Sequence, residues 1–202
     1  MKSANDTAAI LLASGFSKRF GGRNKLLISF RGKALARYTL ELAAGFDYSG
    51  IYFVTAAEES AALAADFPGV KLIKNPSPEK GLRESVRLGV EAAGGAEYYL
   101  FFHCDMPFLD AATVSAVLEA RQPRFIVEPR YKGRPGNPCL FSACYRKELL
   151  SLKEGETPRF IKMRRPEAIK AVEVSDPLIL EDIDDEETLK RLAAAATDET
   201  PH

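Results

Sequence analysis

The segment Tyr98–His103, YYLFFH, is apolar at almost every position and lacks the alternation of a sheet with one wet face. Such a run reads as a strand covered on both sides, the mark of a parallel sheet held between helical layers. The rest of the chain has the matching rhythm. Ala8–Leu12, Ile51–Thr55 and Lys71–Asn75 are further short strands. Between and after them, Leu35–Ala44, Glu58–Asp66, Gly81–Ala93 and a segment from Asp110 to about Ala120 carry helical spacing, with stops at Gly45, Phe67-Pro68-Gly69 and Gly94-Gly95. This βαβαβαβα order predicts an α/β sandwich with a mostly parallel central sheet. The rhythm then changes. Phe125–Ser142 reads as two strands around a glycine- and proline-rich turn, an antiparallel insertion in the second half. A helix over Tyr145–Leu152, a basic segment Arg159–Arg165, a strand over Ala168–Val174 and a last helix over Glu186–Ala196 follow.

A length of 202 residues suits a single domain, 1–202, with ends at about 1–5 and 197–202 frayed. No apolar run approaches the ~20 residues of a membrane span, and MKSANDTAAI lacks the layout of a signal peptide. Three cysteines without a CxxC suggest neither a disulfide framework nor a zinc site, so a cytoplasmic protein with free thiols is expected. Lys plus Arg equals Asp plus Glu at 28 each, so no global basic field attracts nucleic acid. Any anion site must be built locally.

The loop after the first strand is such a construction. In an open parallel sheet, ligands sit beyond the carboxyl ends of the strands. Gly15 leaves the first strand there, and Lys18, Arg19, Arg23 and Lys25 follow within a few residues. Glycine backbone N–H groups can nest anionic oxygens, and the cations add mobile charge, a combination suited to a triphosphate. A Walker loop is absent because Lys25 is followed by Leu26, and a Rossmann GxGxxG is absent because Gly15 is followed by Phe16-Ser17-Lys18, which disfavours a methyltransferase or dehydrogenase. Asp105 ends the apolar strand on the same rim, where it reads as a Mg2+ ligand or as the cap of the next turn. Gly81 opens a helix with Ser85 one turn in, offering close approach and a hydroxyl to a base edge; alone, Ser85 reads as an exposed helix serine. Arg130, Lys132 and Arg134 surround a tight turn before Asn137, and read equally as an acceptor-phosphate site or as solvated hairpin charges. His103 reads as a packed strand residue.

The stretch LASGFSKRFGGRNKLL resembles the signature LAxGxSxRMGxxKxLL of nucleotidyltransferases that activate small phosphates and sugars, with Phe20 in the methionine position. Within that superfamily the chain, from Ile10 to Leu192, is similar to the molybdenum cofactor cytidylyltransferase family and its near relatives. The resemblance implies a Rossmann-like fold and transfer of CMP from CTP to a phosphate-bearing acceptor, molybdenum cofactor, with release of pyrophosphate. It implies Lys25 and Arg19 as catalytic cations, and Leu12, Ala13, Ser14, Gly15, Ser17 and Lys18 with Gly81 and Ser85 around the nucleotide. A block matching Asn75, Gly81, Ser85 and Gly89 would hold the base. Mg2+ would lie on Asp105 and on Asp184 of LEDIDDEETLKRL, with Asp182 close by, while Arg130, Arg134 and Asn137 would border the acceptor. Contact with a molybdoenzyme or its chaperone follows from the same likeness. In the resembling families, an alanine after Leu-Ala goes with CTP and Leu-Ala-Gly-Gly with GTP; Leu12-Ala13-Ser14-Gly15 of this chain is neither. The alternatives are a cytidylyltransferase for an isoprenoid or sugar-like phosphate and a non-catalytic nucleotide-binding or cofactor-handling protein.

Overall fold

The computed structural model describes residues 3–14, 20 and 23–195. Its centre is an eight-stranded, mostly parallel sheet. Strand β1 (Ser3–Ala13) is flanked in parallel by β4 (Asp47–Thr55) and β6 (Tyr98–His103), and β5 (Val70–Lys74) lies outside β4. Beyond β6 come β9 (Cys139–Ser142), β7 (Ile126–Tyr131) and β10 (Ile169–Glu173), in that order. β9 runs antiparallel to both its neighbours, whereas β10 is parallel to β7. The two-residue strand β8 (Arg134–Pro135) folds back on β7 through Lys132 and Gly133, both at positive φ, as a two-residue hairpin requires. A separate small ribbon pairs β2 (Ser29–Phe30) with β3 (Lys33–Ala34).

The chain leaves β1 outward on one side, through β4 and β5, then returns to β6 on the other. That reversal opens a crevice at the carboxyl ends of β1 and β6, the usual ligand position in such a sheet.

Alternation along the buried strands assigns each residue to a face. Ala9, Leu11 and Ala13, with Leu100 and Phe102, pack against α1 (Leu35–Ala44) and α4 (Ala111–Glu119). Ile10 and Leu12, with Tyr99 and Phe101, pack against α3 (Leu82–Ala93), α5 (Arg146–Leu150) and α6 (Pro158–Arg164). Three layers result, as the apolar β6 run predicts. A third cluster joins Phe20, Phe30 and Leu35 to Ile183 and Leu192, the latter on α7 (Glu186–Ala195). A short helix α2 (Glu58–Leu63) covers the region between β4 and β5. Asp110 caps α4 by accepting from Thr113 N at 2.7 Å.

The structure departs from the sequence reading in several places. β1 begins at Ser3, and Ser3 and Ala4 pair with Asp47 and Tyr48, so residues 3–5 are sheet rather than a frayed end. The polar residues there hid the strand from an apolar-run criterion. The end at 197–202 lies outside the described residues. The expected helix at Tyr145–Leu152 is a 3-10 turn over Ala143–Tyr145 followed by the shorter α5. The basic segment is helical over Arg159–Arg164, with Pro158 in the first turn, where its missing N–H costs nothing, and Arg165 ends the helix. Gly89 serves packing: a Cβ there would lie 2.4 Å from Ile10 Cγ2, so its bare backbone lets α3 rest on β1.

Candidate active site

Asn24 sets the local geometry. Its side-chain oxygen accepts from Leu26 N at 3.1 Å, starting a 3-10 turn over Lys25–Leu27, and its amide donates to the buried Ser60 hydroxyl at 2.8 Å. Leu26 anchors the turn in the core. Lys25 is thereby turned inward. Its Nζ donates to Asp105 Oδ2 and to Asp184 Oδ1, each at 2.7 Å. The Lys25 side chain is only 10% exposed, against 17% for Asp105 and 46% for Asp184. Lys25 is therefore a nearly buried cation between two carboxylates.

Asp105 follows the end of β6 by two residues. Asp182 and Asp184 arrive from the far end of the chain by a simple device. The backbone N–H of Ile183 donates to Asp105 O at 2.9 Å, and the Ile183 side chain is wholly buried in the third cluster. In an extended segment, successive side chains point to opposite sides. With Ile183 committed to the core, Asp182 and Asp184 face away from it. Asp105, Asp182 and Asp184 offer carboxylate oxygens within 4.8 Å of one another. Asp185 then caps α7, accepting from Thr188 N at 2.7 Å.

The electrostatics are those of a cation site. Burial alone would lower the pKa of the Lys25 ammonium, but attraction by Asp105 and Asp184 outweighs it and holds the group above its ordinary value. The Asp182 carboxyl is pushed above its ordinary value by loss of solvent and then by the charges of Asp184 and Asp105. Asp105 Oδ1 is buried without a hydrogen-bond partner among the described residues. A buried lone carboxylate oxygen beside two further carboxylates is a hard-oxygen donor set, and it fits a divalent cation such as magnesium or manganese.

Two clefts meet here. One, of about 250 Å3, is lined by Leu12, Ser14, Lys25, Leu26, Pro78, Gly81, Leu82, Ser85, His103 and Asp105. Gly81, at φ 74°, turns the chain from a 3-10 turn over Pro78–Lys80 into α3, a conformation that favours glycine. Ser14 donates its hydroxyl to Val54 O at 3.1 Å, leaving its oxygen as an acceptor. Ser85 accepts from the buried Asn75 amide at 3.1 Å, leaving its hydroxyl proton to donate. The walls thus carry one free acceptor and one free donor. The second cleft, of about 330 Å3, is lined by His103, Met106, Arg134, Pro135, Gly136, Asn137, Ile179, Leu180 and Asp182.

Of the residues singled out in the sequence, Leu12, Ser14, Lys25, Gly81, Ser85 and Asp105 lie on the first cleft, and Arg134 and Asn137 on the second. Asp184 joins through Lys25. The Ala13 side chain does not line the cleft: strand alternation sends it into the core on the opposite face. Arg130 does not line the second cleft either, and pairs with the buried Glu128 at 3.1 Å. Arg23 is held by Glu186 on α7. Gly15, Ser17, Lys18 and Arg19 lie outside the described residues. His103, which from the sequence reads as a packed strand residue, lines both clefts. Its signal is positional: it is the last residue of the central strand, two before Asp105 and in register with Leu12.

Comparison with known proteins places the fold and the family. The chain is 26% identical over 192 residues to nicotine blue oxidoreductase of Paenarthrobacter nicotinovorans, covering 91% of this chain and 94% of that protein. It is 30% identical over 113 residues to molybdenum cofactor guanylyltransferase of Pseudomonas fluorescens SBW25, covering 55% and 54%. Among solved structures, Rv0371c of Mycobacterium tuberculosis H37Rv superposes with a TM-score of 0.81 at 22% identity, covering 96% of this chain and 100% of that one. A second structure of Rv0371c, a complex with manganese, superposes with a TM-score of 0.75 at 20% identity, covering 94% and 98%. The MobA-like NTP transferase domain matches residues 9–169, from β1 into β10, and the chain belongs to that family.

Proposed function

We propose that the protein transfers CMP from CTP to a phosphate-bearing acceptor, molybdenum cofactor, and releases pyrophosphate. The observation that carries the reading is the pair of clefts that share His103, one lined by Lys25 and Asp105 of the Lys25–Asp105–Asp184 cluster and the other by the neighbouring Asp182. The first cleft suits the donor nucleotide. Ser14 and Ser85 face its base, and the Ser14 side chain narrows the space that two glycines leave for a larger base. The second cleft suits the acceptor, with Arg134 as its cation and Met106, Ile179 and Leu180 as its apolar wall.

The chemistry asked of the residues is positioning and charge neutralisation. An acceptor phosphate carries its nucleophilic charge near pH 7, so no general base is required. Asp105, Asp182 and Asp184 would hold Mg2+, which when bound supplies Lewis-acid stabilisation of charge on the phosphates. Lys25, released from two carboxylates, gains phosphate oxygens as partners, and Arg19 and Lys18 of the preceding loop add further cations. The loop glycine Gly15 and Ser17 would complete the phosphate cradle. Met106-Pro107-Phe108 and Gly136-Asn137-Pro138 are the segments that favour molybdenum cofactor over an isoprenoid or sugar-like phosphate. With that acceptor, the protein works in the cytoplasm and meets a molybdoenzyme or its chaperone.

The experiment is release of pyrophosphate with Mg2+ present, across the four nucleoside triphosphates and a panel of phosphate acceptors. CTP with molybdenum cofactor should give the highest rate. A preference for GTP would overturn the choice of base. Absence of pyrophosphate with every pair would overturn transfer itself, in favour of non-catalytic nucleotide binding or of chemistry like that named for the oxidoreductase relative.

A further inference from the structure

We propose that His103 contacts the acceptor, its imidazole donating a hydrogen bond to the attacking phosphate at the boundary between the two clefts. This rests on the nucleotidyl-transfer reading and names the residue by which that site recognises its acceptor.

Position carries the argument. His103 lines both clefts, so a group reaching across from one to the other passes its side chain. The backbone beneath it is fixed: His103 pairs in register with Leu12 on β1, and its carbonyl accepts from Thr39 at 3.5 Å. Strand alternation places its side chain on the face shared by Tyr99 and Phe101, at the end where the helical cover stops and the clefts begin. Among the described residues the imidazole makes no hydrogen bond, so its N–H is available to a ligand.

The charges around it limit where an anion can sit. Asp105 and Asp182 border the junction, and a bare phosphate between them would be repelled. Arg134, which makes no ion pair among the described residues, offers a cation on the outer side of the second cleft. His103 offers a donor on the inner side, nearest the donor nucleotide. Together they hold a phosphate monoester with one oxygen toward the first cleft. In the transfer step, that oxygen forms the new bond to the α-phosphorus, and the bond between the α-phosphorus and the bridging oxygen to the β-phosphorus breaks. Its electron pair leaves with pyrophosphate. A dianionic acceptor brings no proton to remove, and His103 keeps its own.

The test uses the full chain and inorganic phosphate as the acceptor probe, read by NMR. Only two histidines are present, so the imidazole Cε1–H signal that is lost in His103→Gln is the signal of His103. Titration with phosphate in the presence of Mg2+ should move the His103 signal saturably, and Arg134→Gln should weaken the apparent affinity at least about fivefold. CTP with Mg2+ should move the backbone amides of Gly81 and Ser85 in the parent protein. An unmoved His103 signal while those amides respond to CTP would overturn the proposal and leave the nucleotide cleft standing. A His103 signal that responds to CTP but not to phosphate would place it with the donor instead, and also overturn it. Silence of the Gly81 and Ser85 amides toward every triphosphate would count against the underlying transfer reading.

Discussion

Replacing Lys25 by methionine keeps the length of the side chain and removes its charge. In the folded protein, Asp105 and Asp184 then face each other and Asp182 without the ammonium that lies 2.7 Å from two of them. Breaking a fully buried pair costs about 3–5 kcal/mol because it strands a charge. Here the Lys25–Asp105 half is close to that limit, but Asp184 is nearly half exposed and contributes much less. A loss of about 2–3 kcal/mol is expected. For a chain of this size each kilocalorie moves Tm by about 2–4 °C, so Tm should fall by roughly 4–12 °C. The pH dependence has a definite sign. Lys25 is held above its ordinary value, so its stabilisation is complete below the unfolded lysine pKa and is lost as pH rises through the folded one. Lys25→Met should therefore lack the alkaline loss of stability that the parent shows. Manganese or magnesium replaces the missing charge, so the variant should gain more Tm from added cation than the parent does. Thermal unfolding with and without Mn2+ measures both effects. An unchanged Tm, or an equal response to Mn2+ in the two proteins, would refute the reasoning.

Three further outcomes test the frame around the site. Glu84, almost buried, accepts from Arg87 Nη2 at 2.7 Å and Nε at 3.1 Å, which holds its carboxyl below the ordinary range. Glu84→Gln should cost about 1–2 kcal/mol in denaturant unfolding near neutrality. That difference should vanish as pH falls through the depressed folded value, and a constant difference would contradict the pairing. Gly89→Ala pushes a methyl into Ile10 and should cost about 1–3 kcal/mol; a neutral result would mean that α3 does not rest on β1 as described. Asp182 is held above its ordinary value by loss of solvent and neighbouring charge, so above the unfolded aspartate pKa it opposes folding. Asp182→Asn should leave Tm unchanged or slightly raised near pH 7 without metal, and a marked fall would show a structural role.

The layers and the position of the crevice were legible because strand β6 carries its burial in composition: an apolar run allows no wet face. Asp105 and Lys25 were legible from residue type and place in the order of elements. What escaped depends on distance in space. Nothing local marks Lys25 as buried; its partners lie 80 and 159 residues away, and Ile183 decides which way Asp182 and Asp184 face. The family resemblance implies site roles for Ala13 and Arg130, but the period of two along a strand sends the Ala13 side chain away from the cleft, and Glu128 claims Arg130. Gly89 has the residue type of a close ligand approach, and its close approach is to Ile10. His103 looked like strand filler because its special feature is to be the last residue before two clefts, which only the topology reveals.

The central claim is that Asp105, Asp182 and Asp184 form a divalent-cation site that works with a triphosphate. Electron paramagnetic resonance of Mn2+, titrated into the full chain with and without CTP, tests it most directly. The account predicts a single bound Mn2+ per chain, tighter when CTP is present because phosphate oxygens join the ligands and Lys25 leaves the carboxylates. In Asp105→Asn that binding should be lost while far-UV circular dichroism keeps the parent's shape. Mn2+ binding that is indifferent both to CTP and to Asp105→Asn would contradict it.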